Sequence, residues 1–461
     1  MSSWRLGDLR GSRTPADSFR SALRADPYWD QMFPTGTSDG WVSASQYRQT
    51  VPAQRKWSGV PASYVMSREE ALAELSTNRN RASILTALGA ADSWRTVTRE
   101  QLAAISGSDV LANPYPAALS AAYSAGLLSH GYVSSGPNRL APRSKRMSMW
   151  AVGDDRSAYA RYARTLTMAE RISITGGTPW TAEHRFERHN VLATELALRA
   201  AELTRVTTVL GEKQCSVASV LASTGNRVEK ADDQRRADLG LVRPDGLTVF
   251  VEVTASSGAA FQRKMERWAQ LLQRHPVYDL PVVVLVLDIS TPQQQRVASP
   301  ENSARALVRK TVLESVRQFP GSRTNRTASR IGYASWAEWF PDRHEIDESF
   351  LSLTAHFPVG TDSRDHWERV PIMDTSAVPY AQGSAARAET LLANTRLLAG
   401  TPYWLRLGTR PDLGSWLLRQ IESFDIVDSL PHRSEVSVPD RMSGVGFTRA
   451  VGGRRQADLV R

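Results

Sequence analysis

Residues 235 to 254 constrain the fold most, because they join two strand-like segments through a tight turn, Pro244-Asp245-Gly246. This pattern predicts an antiparallel β-hairpin. Asp238 and Glu252 each stand seven residues from Asp245, so a hairpin that turns at Asp245 places their carboxylates opposite each other. Two adjacent carboxylates repel each other unless a cation lies between them.

These two carboxylates are therefore candidate metal ligands. Carboxylate oxygens suit Mg²⁺ or Mn²⁺, and either ion would also bind a phosphate and polarise a water molecule. The alternative is that one carboxylate faces solvent while the other pairs with Arg235 or Arg236. The spacing alone leaves both interpretations open.

The segments around the hairpin predict an α/β domain over residues 189 to 320. Helical and strand periodicities distinguish its elements. They are a helix at 189–203, strand candidates at 206–210 and 216–221, the hairpin, a helix at 260–272 and a buried strand at 281–287. With one of the two strand candidates placed before the hairpin, the predicted order is helix, three strands, helix, strand, which we write αβββαβ.

A smaller domain is predicted over residues 71 to 153. Its elements are helices at 81–88 and 98–105, a third helix from Pro114 or Pro116 to Gly126, and strands near 127–133 and 147–152. Gly89 is a plausible end of the first helix, and Thr98 stands three residues before Gln101, the spacing of a capping box. Three short helices followed by a hairpin is the order of a winged helix.

Winged helices commonly place the last helix in the DNA major groove and hold phosphates with basic loop residues. The candidate DNA-binding residues are Ser120, Tyr123 and Ser124 on an exposed face of the third helix, and Arg139, Arg143, Lys145 and Arg146 in the hairpin loop. The alternative is a winged helix that binds only other proteins.

The remaining segments have weaker patterns. We expect residues 1 to 70 to form an extended arm that packs through its aromatic side chains, and residues 154 to 188 to form a helical connector. Residues 321 to 461 predict a mostly helical accessory domain that ends in a basic tail. Trp336, Trp339 and Phe340 are expected in its core rather than stacked on bases.

Charge favours a polyanionic partner. The net charge is +10 with a pI near 9.9, and six lysines accompany 51 arginines. A GC-rich genome raises arginine content, but the positive excess remains, so nucleic acid is the leading partner and a membrane surface a distant second. A single cysteine, Cys215, excludes a disulfide framework and a cysteine-cluster metal site.

We expect a cytoplasmic protein without a membrane span. No stretch approaches the roughly 18 consecutive apolar residues that a span needs. The first residues also lack the apolar segment of a secretory signal. No Walker A sequence is present, which argues against a P-loop motor.

The residues of the central domain resemble the PD-(D/E)xK nuclease superfamily. More narrowly, the chain looks like the replication-relaxation family, whose members combine an N-terminal winged helix with a nuclease-like domain. The matching pieces are the helix that begins at His189, the strands containing Asp238 and Glu252, and the helix containing Lys264. With the winged helix, the resemblance covers roughly residues 75 to 290.

The resemblance implies that Asp238 and Glu252 bind the metal and that Glu195 is an accessory acidic residue. The superfamily lysine would stand two residues after Glu252, where this chain has Thr254. Lys264 is one replacement, Gln262 is a weaker polar one, and the third alternative is no catalytic lysine. A cation there would stabilise the charge that develops on the phosphate.

The leading prediction is a Mg²⁺- or Mn²⁺-dependent DNA endonuclease or nickase, acting in mobile-element replication, transfer or defence as the resemblance implies. A double-strand cut would predict a homodimer. The alternative is a catalytically inactive DNA-binding initiator or scaffold, which Thr254 favours. A third interpretation is a module that recruits another protein.

Overall fold

The protein is described here by a computed structural model. The described residues are 3–9, 15–34, 37–54, 64–113, 116–134, 148–182, 186–221, 232, 235–295, 303–359, 366–378 and 400–405. Several predictions lie outside these residues: the hairpin-loop cations Arg139, Arg143, Lys145 and Arg146, the C-terminal helices near 385–398 and 413–424, and the basic tail.

The structure is mixed α/β. In the first part of the chain the elements are β1 (Ser3–Arg5), β2 (Ser38–Val42), α1 (Ala44–Gln54), α2 (Arg68–Ser76), α3 (Asn78–Trp94), β3 (Thr96–Thr98), α4 (Arg99–Ser106), α5 (Asp109–Ala112), α6 (Ala117–Ser124), β4 (Leu128–Ser134), β5 (Met149–Val152), α7 (Arg156–Ala163) and α8 (Met168–Thr175).

The second part begins with a long helix and contains most of the strands. Its elements are α9 (Glu187–Leu203), β6 (Thr208–Gly211), α10 (Val217–Leu221), β7 (Leu239–Val242), β8 (Thr248–Thr254), α11 (Ala259–Arg274), β9 (Val282–Asp288), α12 (Pro292–Gln295), α13 (Ala304–Gln318), β10 (Ile331–Ser335), α14 (Trp336–Trp339), β11 (Glu345–Asp347), α15 (Glu348–Leu351), β12 (Thr354–Pro358) and β13 (Trp367–Pro371).

The chain divides into two compact units. The small-sheet unit comprises Arg13–Leu198, Leu210–Gln214 and Leu392–Arg461, and the large-sheet unit comprises Met1–Ser12, Arg199–Val209 and Cys215–Leu391. Most of the predicted arm, the predicted winged helix and the predicted connector therefore belong to one unit. The division falls inside α9, whereas the predicted boundary stood at residue 188.

The small-sheet unit contains an antiparallel sheet in the order β2-β4-β5-β3. Helices α3, α4 and α6 precede the β4–β5 pair, as the sequence predicted. Thr98 and Gln101 form the predicted capping box of α4, and Gly107 ends that helix in the left-handed conformation that glycine favours. Strand β2 comes from the segment predicted to be an extended arm.

The sequence predicts that the first helix ends at Gly89, but helix α3 continues to Trp94. A Cβ on residue 89 would stand 3.0 Å from the backbone oxygen of Ser173, close to α8. The glycine therefore permits a close approach between two helix backbones inside α3, which explains why it does not end the helix.

The prediction that Ser120, Tyr123 and Ser124 lie on an exposed face of α6 is wrong. All three are at most 1% exposed. Helix α2 packs against α6, the ring of Tyr123 packs edge-on against Trp150 of β5, and Oγ of Ser124 accepts a hydrogen bond from the amide of Met66 just before α2. A capping box between Ser67 and Glu70 begins α2, and this pair is the sequence signal that predicts the covering helix.

The large-sheet unit contains a seven-stranded sheet in the order β13-β12-β10-β9-β8-β7-β6. Strands β8, β9 and β10 are parallel neighbours, while β7 pairs antiparallel with β8. Along the chain α9, β6, β7, β8, α11 and β9 follow the predicted αβββαβ order. The strand candidate at 216–221 is instead the short helix α10.

The sequence predicts a mostly helical accessory domain after residue 320. The described part of residues 321 to 378 instead adds strands to this sheet. Strand β10 pairs with β9, so the sheet continues across the boundary predicted at residue 320. Trp336, Trp339 and Phe340 are at most 1% exposed, as expected for core residues. The guanidinium of Arg199 lies 4.4 Å from the ring centroid of Phe340.

Arg330 connects the end of α11 to the start of β9. Its buried guanidinium donates to the carbonyl oxygens of Leu272, His275, Leu280 and Val282. Burial lowers the pKa of Arg330 to about 9. These bonds satisfy carbonyl groups where the helix ends and the next strand begins.

No helix in the described ranges has the length and apolar character needed to cross a bilayer.

In the small-sheet unit, His130 of β4 packs against the rings of Tyr64 and Trp150. Neither of its imidazole nitrogens has a hydrogen-bond partner among the described residues. Burial lowers the pKa of His130 to about 4.

This buried histidine predicts acid sensitivity of the small-sheet unit. An unfolded histidine with a pKa near 6.5 binds a proton before the folded one does, so stability falls between about pH 6.5 and pH 4. The loss amounts to roughly 3 kcal/mol. In thermal denaturation across this range, His130→Phe should show a smaller fall in Tm than the wild type.

His366→Phe is the matched control, because His366 is exposed. It should retain the wild-type dependence of Tm on pH. If His130→Phe and the wild type lose the same stability on acidification, the burial of a neutral imidazole is not the cause.

Candidate active site

The β7–β8 hairpin brings the two predicted carboxylates together. The register pairs Leu239 with Val251, and the amide of Asp238 donates to the carbonyl of Val251. Extended by one position, this register places Asp238 opposite Glu252, as the sequence predicted. Both carboxylates belong to the large-sheet unit.

Asp238 lies at the start of the hairpin, where its side chain is 23% exposed. Its Oδ2 accepts a 2.6 Å hydrogen bond from the amide of Val253. Its Oδ1 lies 3.5 Å from Nζ of Lys264. One oxygen therefore holds the strand, while the other faces the ammonium group.

Glu252 lies in the middle of β8 with a side chain only 1% exposed. Its Oε1 accepts a hydrogen bond from Nε1 of Trp268, and its Oε2 contacts Nζ of Lys264. Lys264 and Trp268 are both on α11, one helical turn apart. Helix α11 therefore supplies both groups that contact the buried carboxylate.

The charges of this cluster are mutually dependent. Burial raises the pKa of Glu252, while the ammonium of Lys264 opposes that rise and Asp238 adds to it. Burial disfavours the charged form of Lys264, but Asp238 and Glu252 outweigh it and raise the lysine pKa. Lys264 therefore remains protonated and compensates the carboxylates.

The structure distinguishes the alternatives for the missing lysine by position. Lys264 contacts both carboxylates, whereas Gln262 lies on the exposed side of α11 and donates to Glu266. Thr254, where the resemblance would place a lysine, closes a local turn with Ser256. An ammonium is thus present at the carboxylates, but a helix supplies it.

Arg235, which we considered as a partner for one of the carboxylates, pairs with Asp232 instead.

Glu195, the expected accessory acidic residue, is not part of this cluster. It belongs to the small-sheet unit, is fully buried and forms a two-point ion pair with Arg24. Gln101 also donates to it, at 3.4 Å. These bonds give Glu195 a structural role in its own unit, which the helical periodicity did not reveal.

A basic pocket that the sequence analysis missed lies beside the carboxylates. It has a volume of about 790 Å³ and is lined by Arg235, Arg236, Ala260, Arg263, Lys264, Arg267 and Trp268. The sequence signal is the pair Arg263 and Arg267, four residues apart on the polar face of α11. Buried residues on the opposite face, including Met265 and Leu272, anchor the helix to the sheet.

The bridging ammonium of Lys264 should contribute to stability. Lys264→Met leaves adjacent carboxylates without a cation, and because the side chain is 41% exposed we expect a loss of about 1 to 2 kcal/mol. Added Mg²⁺ should restore more of this stability in the variant than it adds to the wild type, because the ion takes the place of the ammonium. Thermal denaturation with and without Mg²⁺ measures both effects.

Lys310→Met provides the control, since Lys310 is 69% exposed and pairs with Glu314 on its own helix. Its Tm should stay within the small range of surface substitutions. Equal stabilisation of both variants by Mg²⁺ would show that the ion binds elsewhere.

The described residues contain no group of three or more His, Cys, Asp or Glu side chains arranged to hold a metal ion. The site consists of two carboxylates, one ammonium and an adjacent arginine-rich pocket. Comparisons of the chain with protein-family models, with curated proteins and with solved structures find no match. The chemistry of this chain is therefore inferred from the residues themselves.

Proposed function

We propose that this chain is a DNA-binding protein that hydrolyses phosphodiester bonds at the Asp238–Glu252–Lys264 cluster, as a metal-dependent endonuclease or nickase. The observation that carries the proposal is the convergence of two carboxylates and a lysine at the edge of an arginine-lined pocket. A buried carboxyl group with a raised pKa, beside a second carboxylate and a cation, is typical of functional sites.

The donor set fits Mg²⁺ or Mn²⁺. Mg²⁺ commonly binds one or two protein carboxylates and completes its coordination with water and substrate phosphate. Asp238 and Glu252 would hold the ion, and Oε2 of Glu252, which contacts the ammonium of Lys264, would exchange that contact for the ion. Such an ion, if bound, would supply Lewis-acid polarisation of the phosphate and lower the pKa of a water molecule.

Lys264 has two roles in this proposal. Its ammonium balances the carboxylates before a substrate binds, and it stabilises negative charge on the phosphate during the reaction. Trp268 orients Glu252 by donating to Oε1. The side chains of one helix thus position the carboxylate and supply the positive charge.

The resemblance to the replication-relaxation family supports a setting in mobile-element replication, transfer or defence. The helix-and-hairpin order of the small-sheet unit supports a winged helix in that setting. The buried Ser120 and Tyr123 are not proposed as DNA contacts, whereas the loop cations Arg139, Arg143, Lys145 and Arg146 stay predictions. A homodimer is proposed only for a double-strand cut.

A second candidate function is a non-catalytic DNA-binding initiator or scaffold. The contact between Lys264 and both carboxylates favours it, because the lysine neutralises the pair without a metal ion. Thr254 at the usual lysine position favours it as well. The two candidates differ in whether the protein cleaves the DNA that it binds.

Asp238→Asn and Glu252→Gln test the proposed chemistry. Each removes a negative charge from the proposed metal site, and the metal contributes several kcal/mol to transition-state stabilisation. Nicking of supercoiled plasmid in Mg²⁺ or Mn²⁺ should therefore fall by at least about 100-fold. Binding to the same plasmid, measured by filter retention, should persist.

Glu314→Gln is the control, because Glu314 is a half-exposed carboxylate on α13, outside the cluster, that pairs with Lys310. It should nick at the wild-type rate. Tight binding by the wild type without nicking in either metal would contradict hydrolysis of this substrate and favour the scaffold.

A further inference from the structure

We infer that the basic pocket beside the carboxylates binds successive phosphates of a nucleic-acid backbone through the exposed arginines of α11. The shared chemistry of its ligands is the phosphodiester backbone, in duplex or single-stranded form. This inference deepens the proposed function and relies on it only for the identity of the polyanion.

The arginines of the pocket differ in whether they have a partner. Arg235 pairs with Asp232 and also donates to the carbonyl of Arg267. By contrast, Arg236, Arg263 and Arg267 form no ion pair with any residue in the described ranges. Arginine that lacks a carboxylate partner is available to an anion, and its planar guanidinium suits two-point binding of phosphate.

The arrangement of these arginines favours a chain of anions over a single small anion. Arg263 and Arg267 are four residues apart on α11, so they lie on one face with a rise of about 6 Å between them. Arg236 comes from the segment that precedes β7, across the pocket from the helix. A row of cations along an open pocket matches a ligand with regularly repeated negative charges.

The pocket is also continuous with the carboxylate cluster. Lys264 and Trp268 line the pocket and contact Glu252, and Arg236 stands two residues before Asp238. A strand held by the arginines therefore has one of its phosphodiester groups next to both carboxylates. Specific geometry near the site, rather than overall charge, would then determine where a strand is cut.

Salt-dependent binding tests this inference. The variant is Arg263→Gln with Arg267→Gln, and the matched control is Arg323→Gln with Arg326→Gln, two exposed arginines of the same unit outside the pocket. Binding of a short fluorescein-labelled duplex and of its single strand is measured by anisotropy over a salt series. EDTA is present, so that binding is observed without cleavage.

Each phosphate contact contributes about 0.9 to the slope of log K against log salt concentration for duplex DNA, and about 0.7 for a single strand. The α11 variant should therefore lose roughly 1.8 from the slope with duplex, or roughly 1.4 with single strand if that is the ligand. The control pair should lose less than about 0.5 in either arm. The arm with the tighter binding and the larger change identifies the bound form.

Equal slope changes in the two variants would overturn the inference, because they would show that only total charge matters. An unchanged slope in the α11 variant, in both arms, would overturn it as well. If the α11 variant alone loses slope but the wild type does not cleave DNA, the result would support phosphate binding in the pocket and contradict the proposed hydrolysis. If the wild type cleaves DNA but the α11 substitutions leave the slope unchanged, the result would support the hydrolysis and overturn the inference about the pocket.

Discussion

The candidate site depends on the register of one hairpin. The pairing of Leu239 with Val251 places Asp238, the residue just before β7, opposite the buried Glu252 of β8. A shift of one residue would turn Glu252 to the other face of the sheet, away from α11. The electrostatic cost of this register is offset by Lys264, so the hairpin and the helix stabilise each other's positions.

The sequence predicted this part of the molecule well, because local patterns determine it. A tight turn and two strands of similar length fix which residues face each other, and the apolar run 281–287 predicted the buried strand that the structure has at Val282–Asp288. The position of Lys264 was less predictable. Its contact with Glu252 depends on how α11 packs on the sheet, which sequence spacing does not encode.

The predictions that the structure contradicts were wrong because tertiary packing changed the surroundings of the residues concerned. Helix α6 has the small and polar residues of a partly exposed helix, yet α2 packs against it and Trp150 packs against Tyr123, and both Ser120 and Tyr123 are buried. Glu195 occupies a helix position that the resemblance associates with catalysis, but Arg24 binds it from a distant segment. Periodicity within a segment does not predict contacts with segments that are far away in sequence, whether those contacts bury a helix face or neutralise a charge.

The role of Arg330 shows that arginine in this chain is not only a surface charge. Its guanidinium fastens the last turn of α11 to the first residues of β9 through carbonyl oxygens alone. Lysine has fewer donors and no planar fork, so it could not make the same set of bonds. The alignment of the helix that carries Lys264 is thus set partly at its opposite end. A substitution of Arg330 would therefore shift Lys264 relative to the carboxylates without touching the site itself.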